Sequence, residues 1–417
     1  MYIHRAMEES IKKISATFPV LLLTGPSQVG KTTLLSHLAA ENRKYITLDD
    51  PDIRLMAKTD PALFMQRYAP PLLIDEIQYA PEILPYIKMS VDKNRQNGDF
   101  WLTGSQMFHM MRNVSESLAG RVGIVNLLGL SHSEISGISS EVFTTEPDRL
   151  MARLNKTPRM GLNEVYERIF KGSLPVLYGE NPPELTSFYR SYINTYLQRD
   201  IRDLTQVADE MAFFNFMTVA AARTAQPVRY EDIAREVGIT SPTAKKWLSI
   251  LVSSGIAALV QPYYNSVLKR VVRAPLLHFL DTGLCAYLLK WGNAETLERG
   301  AASGAFFESY VFAEIYKSYI NAGLEAPVYY YRDRDQKEID LLLYLNGTLY
   351  PIEIKKSASP GKEAVKHFKV LAPVSQPERY GALEQYKIEI GAGGVICMAQ
   401  DVLPLDSKNC YIPVWLI

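Results

Sequence analysis

One eight-residue motif limits the fold of this chain more than any other feature. Residues 25–32 read Gly-Pro-Ser-Gln-Val-Gly-Lys-Thr, which fits the pattern GxxxxGK[ST]. An apolar run at 20–23 precedes the motif, and a helix is expected directly after it at 33–40. This strand–loop–helix order is the context in which the pattern forms a phosphate-binding loop, or P-loop. The sequence therefore predicts a nucleotide-binding α/β domain rather than a chance match in a glycine-containing turn.

The motif itself supplies the predicted nucleotide contacts. Glycines let the backbone turn its N–H groups toward phosphates, and the following helix adds its positive N-terminus. Lys31 is expected to reach the β- and γ-phosphates of ATP, and the Thr32 hydroxyl is expected to bind Mg²⁺. The predicted nucleotide-binding residues of this segment are Gly25, Pro26, Ser27, Gln28, Val29, Gly30, Lys31, Thr32 and Thr33.

A second apolar run ends in two carboxylates. Residues 72–76 read Leu-Leu-Ile-Asp-Glu, so Asp75 and Glu76 close a predicted strand. In a chain with a P-loop, this pattern predicts that Asp75 holds magnesium and that Glu76 is the general base that polarises the attacking water. Taken alone, the pair has a plainer interpretation as a solvated strand end.

Two further positions are candidates for completing this site. Residues 100–105 form another predicted strand with hydroxyls at its carboxyl end, which borders the nucleotide crevice in a parallel sheet. Ser105 or Thr103 is therefore a candidate γ-phosphate sensor, with an ordinary turn as the alternative. Arg121 stands alone before an apolar strand. It is a candidate arginine finger, acting in cis or on a neighbouring subunit, with a surface cation as the alternative.

Composition excludes several other classes of protein. Lys plus Arg and Asp plus Glu number 45 each, so any nucleic-acid contact must come from a local patch. The three cysteines (Cys285, Cys397 and Cys410) lack CxxC spacing, which favours a reducing compartment over disulfides or structural zinc. No run reaches the roughly 18 apolar residues of a membrane span, and the N-terminus does not have the pattern of a secretory signal. We therefore expect a cytoplasmic protein without a membrane partner.

A local basic segment lies in the middle of the chain. Residues 230–251 have the layout of a helix-turn-helix, with Gly238 at the turn. Residues 229–273 contain seven Lys or Arg against three acidic residues, a local charge of +4 that supports weak, salt-sensitive nucleic-acid binding. A lid element or a protein-binding module is the alternative. The candidates for DNA contact, early in the second helix, are Thr243, Lys245 and Lys246.

Charged residues recur in a distinctive order near the C-terminus. Glu308 lies in a helix-like segment, Asp340 and Glu353 lie 13 positions apart in strand-like segments, and Lys355 follows Glu353 by two residues. The spacing fits a hairpin with its turn at 346–347, and Lys355 then shares a strand face with Glu353. This order resembles the catalytic set of restriction-endonuclease-like enzymes, in which the three carboxylates hold Mg²⁺ and the lysine activates hydroxide. An amphipathic hairpin is the plainer interpretation.

Together these segments resemble a family of bacterial and archaeal AAA-type P-loop ATPases of the archaeal-ATPase kind. The string Asp-Glu-Ile-Gln-x-Ala-Pro at 75–81 is more specific than the P-loop alone. Ser27 departs from the family, many of whose members carry arginine there, but Lys31 is intact. The resemblance implies an ATPase core, a helical lid, a winged helix and a nuclease-like C-terminal domain of unknown function. It rests on residues 24–33, 48–51, 74–82, 102–105, 117–121, 196–201, 269–270 and 281–284.

The expected fold class is therefore α/β multidomain. Its expected parts are a parallel-sheet AAA-type ATPase domain at 1–155, a helical lid at 156–226, a winged helix at 227–293 and an α/β restriction-endonuclease-like domain at 294–417. The expected function is Mg²⁺-dependent binding and hydrolysis of ATP, coupled to action on DNA or RNA. The alternative is an ATP-dependent regulatory switch that binds protein partners and cuts nothing. A homo-oligomer is also possible, because AAA-type ATPases often form rings.

Overall fold

Five parallel strands form the N-terminal sheet of the computed structural model, which describes residues 2–104, 114, 116–197, 210–263, 274–333, 335–375 and 388–417. The strand order is β2-β3-β4-β1-β5, and β1, β3 and β4 are buried along their whole length, as in parallel sheets covered on both faces. The expected parallel-sheet P-loop fold is confirmed. The strands are β1 (Val20–Thr24), β2 (Lys44–Thr47), β3 (Leu72–Asp75), β4 (Phe100–Thr103) and β5 (Val122–Asn126).

Helices cover the two faces of this sheet, and β1 shows how. Leu21 and Leu23 pack in the same core as Leu34 of the helix after the P-loop, whereas Val20 and Leu22 pack in a separate core on the other face. This division follows from the alternation of side chains along a strand. The helices of this part are Glu8–Thr17, Lys31–Leu38, Pro51–Thr59, Pro61–Arg67 and Leu84–Asn94, with 3₁₀ turns at Ile77–Tyr79 and Pro81–Ile83.

The middle of the chain is mainly helical. Gly238, in the left-handed region with φ 79°, ends one helix, and the Thr240 hydroxyl accepts a hydrogen bond from the Thr243 N–H to begin the next. The two helices therefore form where the sequence predicts them. The helices from here to the long C-terminal one are His132–Ser136, Pro147–Leu154, Leu162–Lys171, Leu185–Tyr192, Glu210–Ala221, Tyr230–Val237, Ser241–Ser253, Thr282–Leu288 and Ala294–Arg299, with a 3₁₀ turn at Pro175–Tyr178 and a π-helical turn at Ile193–Leu197.

A second, mixed sheet runs through the rest of the molecule. Its order is β14-β15-β13-β11-β10-β9-β7-β8-β6, and β12 pairs with β11. The parallel pair β7–β9 joins Gln261 to Tyr329, so the hairpin of the middle region and the C-terminal strands share one sheet. The strands are β6 (Gln226–Pro227), β7 (Ala257–Pro262), β8 (Leu276–Phe279), β9 (Val328–Arg332), β10 (Glu338–Leu345), β11 (Thr348–Ile354), β12 (Glu389–Ile390), β13 (Gly393–Cys397), β14 (Leu403–Pro404) and β15 (Asn409–Pro413).

A long helix, Ser303–Asn321, lies between the two sheets. It is buried on most of its surface, and its aromatic residues belong to one continuous core that also contains Leu34 of the ATPase part and Ile396 of β13. Hydrogen bonds tie its C-terminal end to the N-terminal part, because Ser10 Oγ donates to Asn321 O at 2.9 Å. The 3₁₀ helices Lys362–Ser375 and Val414–Leu416 complete the chain. Among the helices that the structure describes, none is long and apolar enough to cross a membrane.

Candidate functional site

The P-loop is shaped by glycine at both of its ends. Gly25 has φ 140° and Gly30 has φ 92°, both of which L side chains rarely adopt. A Cβ atom on Gly25 would lie 2.0 Å from the Leu127 carbonyl oxygen, so only glycine lets the loop approach the segment after β5. The following helix begins at Lys31, which directs its N-terminus into the loop.

Lys31 is folded into the concave side of this loop. Its side chain is only 6% exposed, and Nζ donates hydrogen bonds to the carbonyl oxygens of Gly25 at 3.0 Å and Pro26 at 2.9 Å. The ammonium group thus lies where the backbone N–H groups of a P-loop gather phosphate oxygens. This arrangement places a positive charge ready for a triphosphate.

Asp75, at the end of β3, is held by three hydroxyl groups. The Thr32 hydroxyl donates to Oδ1 at 2.7 Å, and the Thr103 hydroxyl donates to the same oxygen. The Tyr45 hydroxyl donates to Oδ2 at 3.0 Å. A hydroxyl and a carboxylate side by side are the oxygen ligands that Mg²⁺ prefers, so Thr32 and Asp75 fit a magnesium ion bound with nucleotide.

Glu76 follows in an unusual backbone conformation. Its φ and ψ of 58° and 50° are left-handed, and its N–H donates to the Thr103 hydroxyl at 3.1 Å. Gln78 donates a side-chain hydrogen bond to its Oε2. Burial raises the pKa of the Glu76 carboxyl, while the charge of Lys31 and the Gln78 hydrogen bond act in the opposite direction. A carboxylate with a raised pKa beside a phosphate-binding lysine is suited to general-base chemistry.

Arg121 lies at the end of the parallel strands opposite to the P-loop. Its carbonyl oxygen accepts from the Val20 N–H at the start of β1, whereas the P-loop leaves the far end of that five-residue strand, about 13 Å away. Its guanidinium donates to both carboxylate oxygens of Asp92, at 2.6 and 3.0 Å, at the protein surface. This placement is incompatible with an arginine finger acting in cis, and action on a neighbouring subunit stays a prediction. The other sensor candidate, Ser105, lies outside the described residues.

Sequence reasoning missed a buried arginine behind the P-loop. Arg5 donates from Nη1 to the Val29 carbonyl at 2.7 Å, from Nη2 to the Leu128 carbonyl at 2.8 Å and from Nε to Glu134 Oε1 at 2.9 Å. These partners are up to 129 residues away in sequence, so no local pattern indicates them. Tyr45 was missed for the same reason, since its partner Asp75 is 30 residues away. Gln78 is different, because its partner Glu76 is only two residues away and the sequence showed both in one string without indicating their contact.

The four charged residues of the C-terminal pattern are called the tail site (Glu308, Asp340, Glu353 and Lys355). Three of them contact one another, and Glu308 lies close enough for their charges to act on its pKa. Lys355 Nζ is 2.6 Å from Glu353 Oε1 and 3.5 Å from Asp340 Oδ2. The Ile354 N–H also donates to Asp340 Oδ2, at 2.7 Å, which holds β10 against β11. The spacing in the sequence therefore does bring these carboxylates together on adjacent strands.

Burial dominates the electrostatics of the tail site. It raises the pKa of Glu353 to about 8, with a further increase from the charge of Asp340. Glu353 Oε2 is buried and has no hydrogen-bond partner among the residues that the structure describes. Burial raises the pKa of Glu308 as well, followed by the charges of Asp340 and Glu338. Burial disfavours the charged form of Lys355, but Asp340 and Glu353 outweigh it, so its pKa is raised.

The structure does not arrange Glu308, Asp340 and Glu353 as the expected three-carboxylate metal site. In the portions of the chain that the structure describes, no group of three or more His, Cys, Asp and Glu side chains is placed to hold a metal ion. The ammonium of Lys355 lies between Asp340 and Glu353, which is the position that a shared cation would take. The carboxylates of Asp340 and Glu353 nevertheless converge on this one point, and their oxygens are the right ligands for Mg²⁺.

The helix-turn-helix presents two lysines to solvent. Lys245 and Lys246 are exposed on the second helix, while Thr243 is half-buried and its hydroxyl is 2.8 Å from that of Thr240. Arg235 forms an exposed ion pair with Asp232 at 2.6 Å, which cancels part of the local charge. Of the other basic residues counted in this segment, Arg229 is exposed, and Lys269, Arg270 and Arg273 lie outside the described residues.

Comparisons with known proteins agree with the ATP site. Residues 17–136 match the family model described as an AAA domain, and this match together with the P-loop sheet defines the chain as a P-loop ATPase of the AAA type. The chain is 30% identical over 346 residues to the proteins named uncharacterized protein Rv2008c of Mycobacterium tuberculosis and uncharacterized protein Mb2031c of Mycobacterium bovis. The match covers 82% of this chain and 71% of each relative. The chain belongs to the family of these mycobacterial proteins.

Two other family models cover the rest of the chain. Residues 162–295 match a domain of unknown function (DUF8612), and residues 303–417 match another (DUF4143). Among solved structures, the Walker-type ATPase PABY2304 of Pyrococcus abyssi matches with a TM-score of 0.41 and 14% identity, over 68% of this chain and 94% of that one. A STAND protein with a tetratricopeptide repeat sensor from Pyrococcus horikoshii matches with a TM-score of 0.25 and 13% identity, over 75% and 45%. Nothing about function follows from likenesses this distant.

Proposed function

We propose that this ATPase couples its nucleotide state to a metal-dependent nuclease-like tail that acts on DNA or RNA. The observation that carries the proposal is the convergence of Asp340, Glu353 and Lys355 on one point at the junction of β10 and β11. Two buried carboxylates and a lysine on adjacent strands are the groups that metal-assisted phosphodiester hydrolysis needs. Mg²⁺ at the carboxylates would supply charge stabilisation for the phosphate that is cleaved.

The roles of the ATP-site residues follow from their positions. Lys31 would bind the β- and γ-phosphates, and Thr32 would turn from Asp75 toward Mg²⁺ when nucleotide arrives. Asp75 would hold the ion, and Glu76 would take the proton of the attacking water. The short contacts among Thr32, Asp75 and Thr103 support these roles, because they bring the three groups to one edge of the sheet.

A buried ion pair on the long helix joins the segment after β5 to the helix that also carries Glu308. Glu314, on the long helix, accepts a hydrogen bond from the His132 N–H at 2.7 Å and pairs with Lys317 at 2.9 Å. Lys317 also donates to the Leu130 carbonyl at 2.9 Å. Glu308 lies on the same helix, about 9 Å before Glu314 along its axis. This chain of contacts supports coupling between the segment after β5 and the tail site.

The residues expected to form a winged helix would supply the nucleic-acid contact. Lys245 and Lys246 are exposed near the start of the second helix, where they are free to approach phosphates. We propose that the helices of the 156–226 region act as the lid that follows the nucleotide state. Its contact with the P-loop supports this role, because the Tyr192 hydroxyl donates to the Ser27 carbonyl at 3.3 Å.

Cleavage assays test the tail directly. The purified full chain is incubated with linear, supercoiled and single-stranded nucleic acid in Mg²⁺ or Mn²⁺, with and without ATP. We expect cleavage that Glu353→Ala and Lys355→Ala abolish and that Lys366→Ala, which removes an exposed lysine of the same tail, leaves unchanged. Cleavage that survives the first two substitutions would contradict the proposal.

The second candidate function is an ATP-dependent regulatory switch that binds protein partners through a tail that does not cut. The observation in its favour is that the Lys355 ammonium already occupies the position between Asp340 and Glu353, with no three-carboxylate metal group among the described residues. Normal ATP hydrolysis together with no cleavage of any nucleic acid under these conditions would favour the switch over the nuclease.

A further inference from the structure

Both oxygens of the Asp75 carboxylate accept hydrogen bonds, but from different groups. Oδ1 accepts from Thr32 and Thr103, while Oδ2 accepts from Tyr45 at 3.0 Å. Thr103 is itself shared, because it also accepts the N–H of Glu76. Among the described residues, Tyr45 is the one group that hydrogen-bonds to Oδ2.

Tyr45 reaches Asp75 from the neighbouring strand. In the parallel pair β2–β3, Thr47 lies opposite Asp75, and Tyr45 precedes Thr47 by two positions on the same face. Its long side chain spans that step, and the ring is 50% exposed at the edge of the sheet. A half-exposed ring on an edge strand contributes little to the core, so the packing of the domain does not explain its hydroxyl contact.

We infer that Tyr45 is a positioning residue for magnesium binding, an inference that rests on the magnesium site proposed above. When Thr32 turns to the ion, Asp75 loses one of its three hydrogen bonds. The Tyr45 hydroxyl continues to hold Oδ2, which fixes the carboxylate plane and leaves Oδ1 facing the ion. Hydrogen bonds of this kind to a metal-binding carboxylate typically change metal affinity by about 10- to 100-fold when removed.

Nucleotide binding to the full chain separates this role from a structural one. A fluorescent ADP derivative is titrated in EDTA and then at increasing Mg²⁺ concentrations, which reads metal binding without catalysis. In Tyr45→Phe, we expect unchanged affinity in EDTA and a half-saturating Mg²⁺ concentration raised about 10-fold or more. Tyr86→Phe, which removes the hydroxyl of a half-buried tyrosine on the Leu84–Asn94 helix, is the matched control and should match the wild type.

Each outcome of these titrations decides between the hypotheses. A Mg²⁺ curve of Tyr45→Phe that superimposes on the wild type overturns the positioning role. Weaker binding already in EDTA also overturns it, because a merely structural defect would have that effect. If the nucleotide affinity of the wild-type protein itself does not change with Mg²⁺ concentration, the proposed magnesium site is wrong. That result is distinct from a failure of the Tyr45 role alone.

Discussion

The two acidic sites of this molecule both contain buried or half-buried carboxylates, but different groups hold these carboxylates in place. At the end of β3, neutral hydroxyls of Thr32, Thr103 and Tyr45 hold Asp75 and leave its negative charge available to a cation. In the tail site, the charged ammonium of Lys355 holds Asp340 and Glu353. A carboxylate oriented by hydroxyls is prepared for a metal, whereas one paired with lysine has its charge already compensated. Mg²⁺ binding at the ATP site would require only that the neutral Thr32 hydroxyl turn away from Asp75, whereas Mg²⁺ binding at the tail site would also require the charged Lys355 to move.

The largest expected effect is at the P-loop. Lys31→Ala should abolish nucleotide binding, because it removes the ammonium group that lies in the concave side of the loop. Equilibrium titration with a fluorescent ATP derivative measures this, and Lys58→Ala on the exposed helix Pro51–Thr59 serves as control. Nucleotide binding near the wild-type level would contradict the proposed role of Lys31, and the comparison of the two acidic sites would lose its ATP site.

The next effect separates binding from chemistry within the ATP site. Glu76→Gln should bind ATP normally and hydrolyse it about 10²- to 10⁴-fold more slowly, since the amide cannot accept the proton of the attacking water. Single-turnover hydrolysis and nucleotide titration measure the two quantities. Glu82→Gln, an exposed residue in the neighbouring 3₁₀ turn, should leave both unchanged. Normal turnover of Glu76→Gln would show that another group is the base.

A smaller effect concerns the pH dependence of stability in the tail. The pKa of Glu353 is raised from 4.5 to about 8, so the folded protein binds more protons than the unfolded chain between these values. The stabilisation is complete below about pH 4.5 and is lost as the pH rises through about 8. In the absence of divalent ions, Glu353→Gln should therefore gain melting temperature relative to the wild type between pH 6 and 9.

Differential scanning calorimetry at matched pH values measures this trend. Asp406→Asn, on the exposed turn before β15, supplies a control carboxylate that has a lowered pKa, so its variant should not show the same gain at alkaline pH. A constant difference in melting temperature between Glu353→Gln and the wild type across this range would mean that the tail carboxylates are not held in the buried state described here.

The smallest effect is expected at Arg121. Its ion pair with Asp92 is partly exposed, with 32% and 43% of the two side chains accessible, so Arg121→Ala should leave the melting temperature nearly unchanged. It should also leave the hydrolysis rate of isolated monomers unchanged, because the residue is remote from the P-loop. Hydrolysis measured across protein concentrations and in mixtures with Glu76→Gln protein tests action in trans. A lower rate in dilute monomers would contradict the placement described here.

The local parts of the ATP site could be predicted from the sequence, and the contacts that support it could not. The P-loop and the Asp75–Glu76 pair are short motifs whose geometry is fixed by neighbouring residues, so their positions follow from the strand–loop–helix pattern. The contact of Tyr45 with Asp75 joins two strands, and the contact of Arg5 with Glu134 joins residues more than a hundred positions apart. No periodicity in the sequence indicates either contact. Arg121 is a different case, because it directly precedes β5 and parallel strands place such a residue at the end of the sheet away from the P-loop.

For the tail, the sequence spacing predicted that Asp340, Glu353 and Lys355 lie close together, but it did not predict the protonation of these groups. The hairpin brought Asp340 opposite the end of β11, as the 13-residue separation indicates. The spacing also predicted that Lys355 shares a strand face with Glu353. The ion pairing of Lys355 with the two carboxylates and the raised pKa of Glu353 could not be predicted, because they depend on side-chain directions and burial. The division of the chain into four parts at 155, 226 and 293 stays a prediction, and the pairing of β7 with β9 runs across the last of these positions.

That pairing has a practical consequence for work on fragments. A piece that stops near residue 293 would keep the pairing of β7 with β8 but leave the other edge of β7 unpaired, and a piece that starts there would keep the pairing of β9 with β10 but leave the other edge of β9 unpaired. Unpaired backbone N–H and C=O groups along a strand invite association with other chains. Expression of either half alone should therefore yield aggregates, and the two halves made together should rescue each other by reforming the shared ladder.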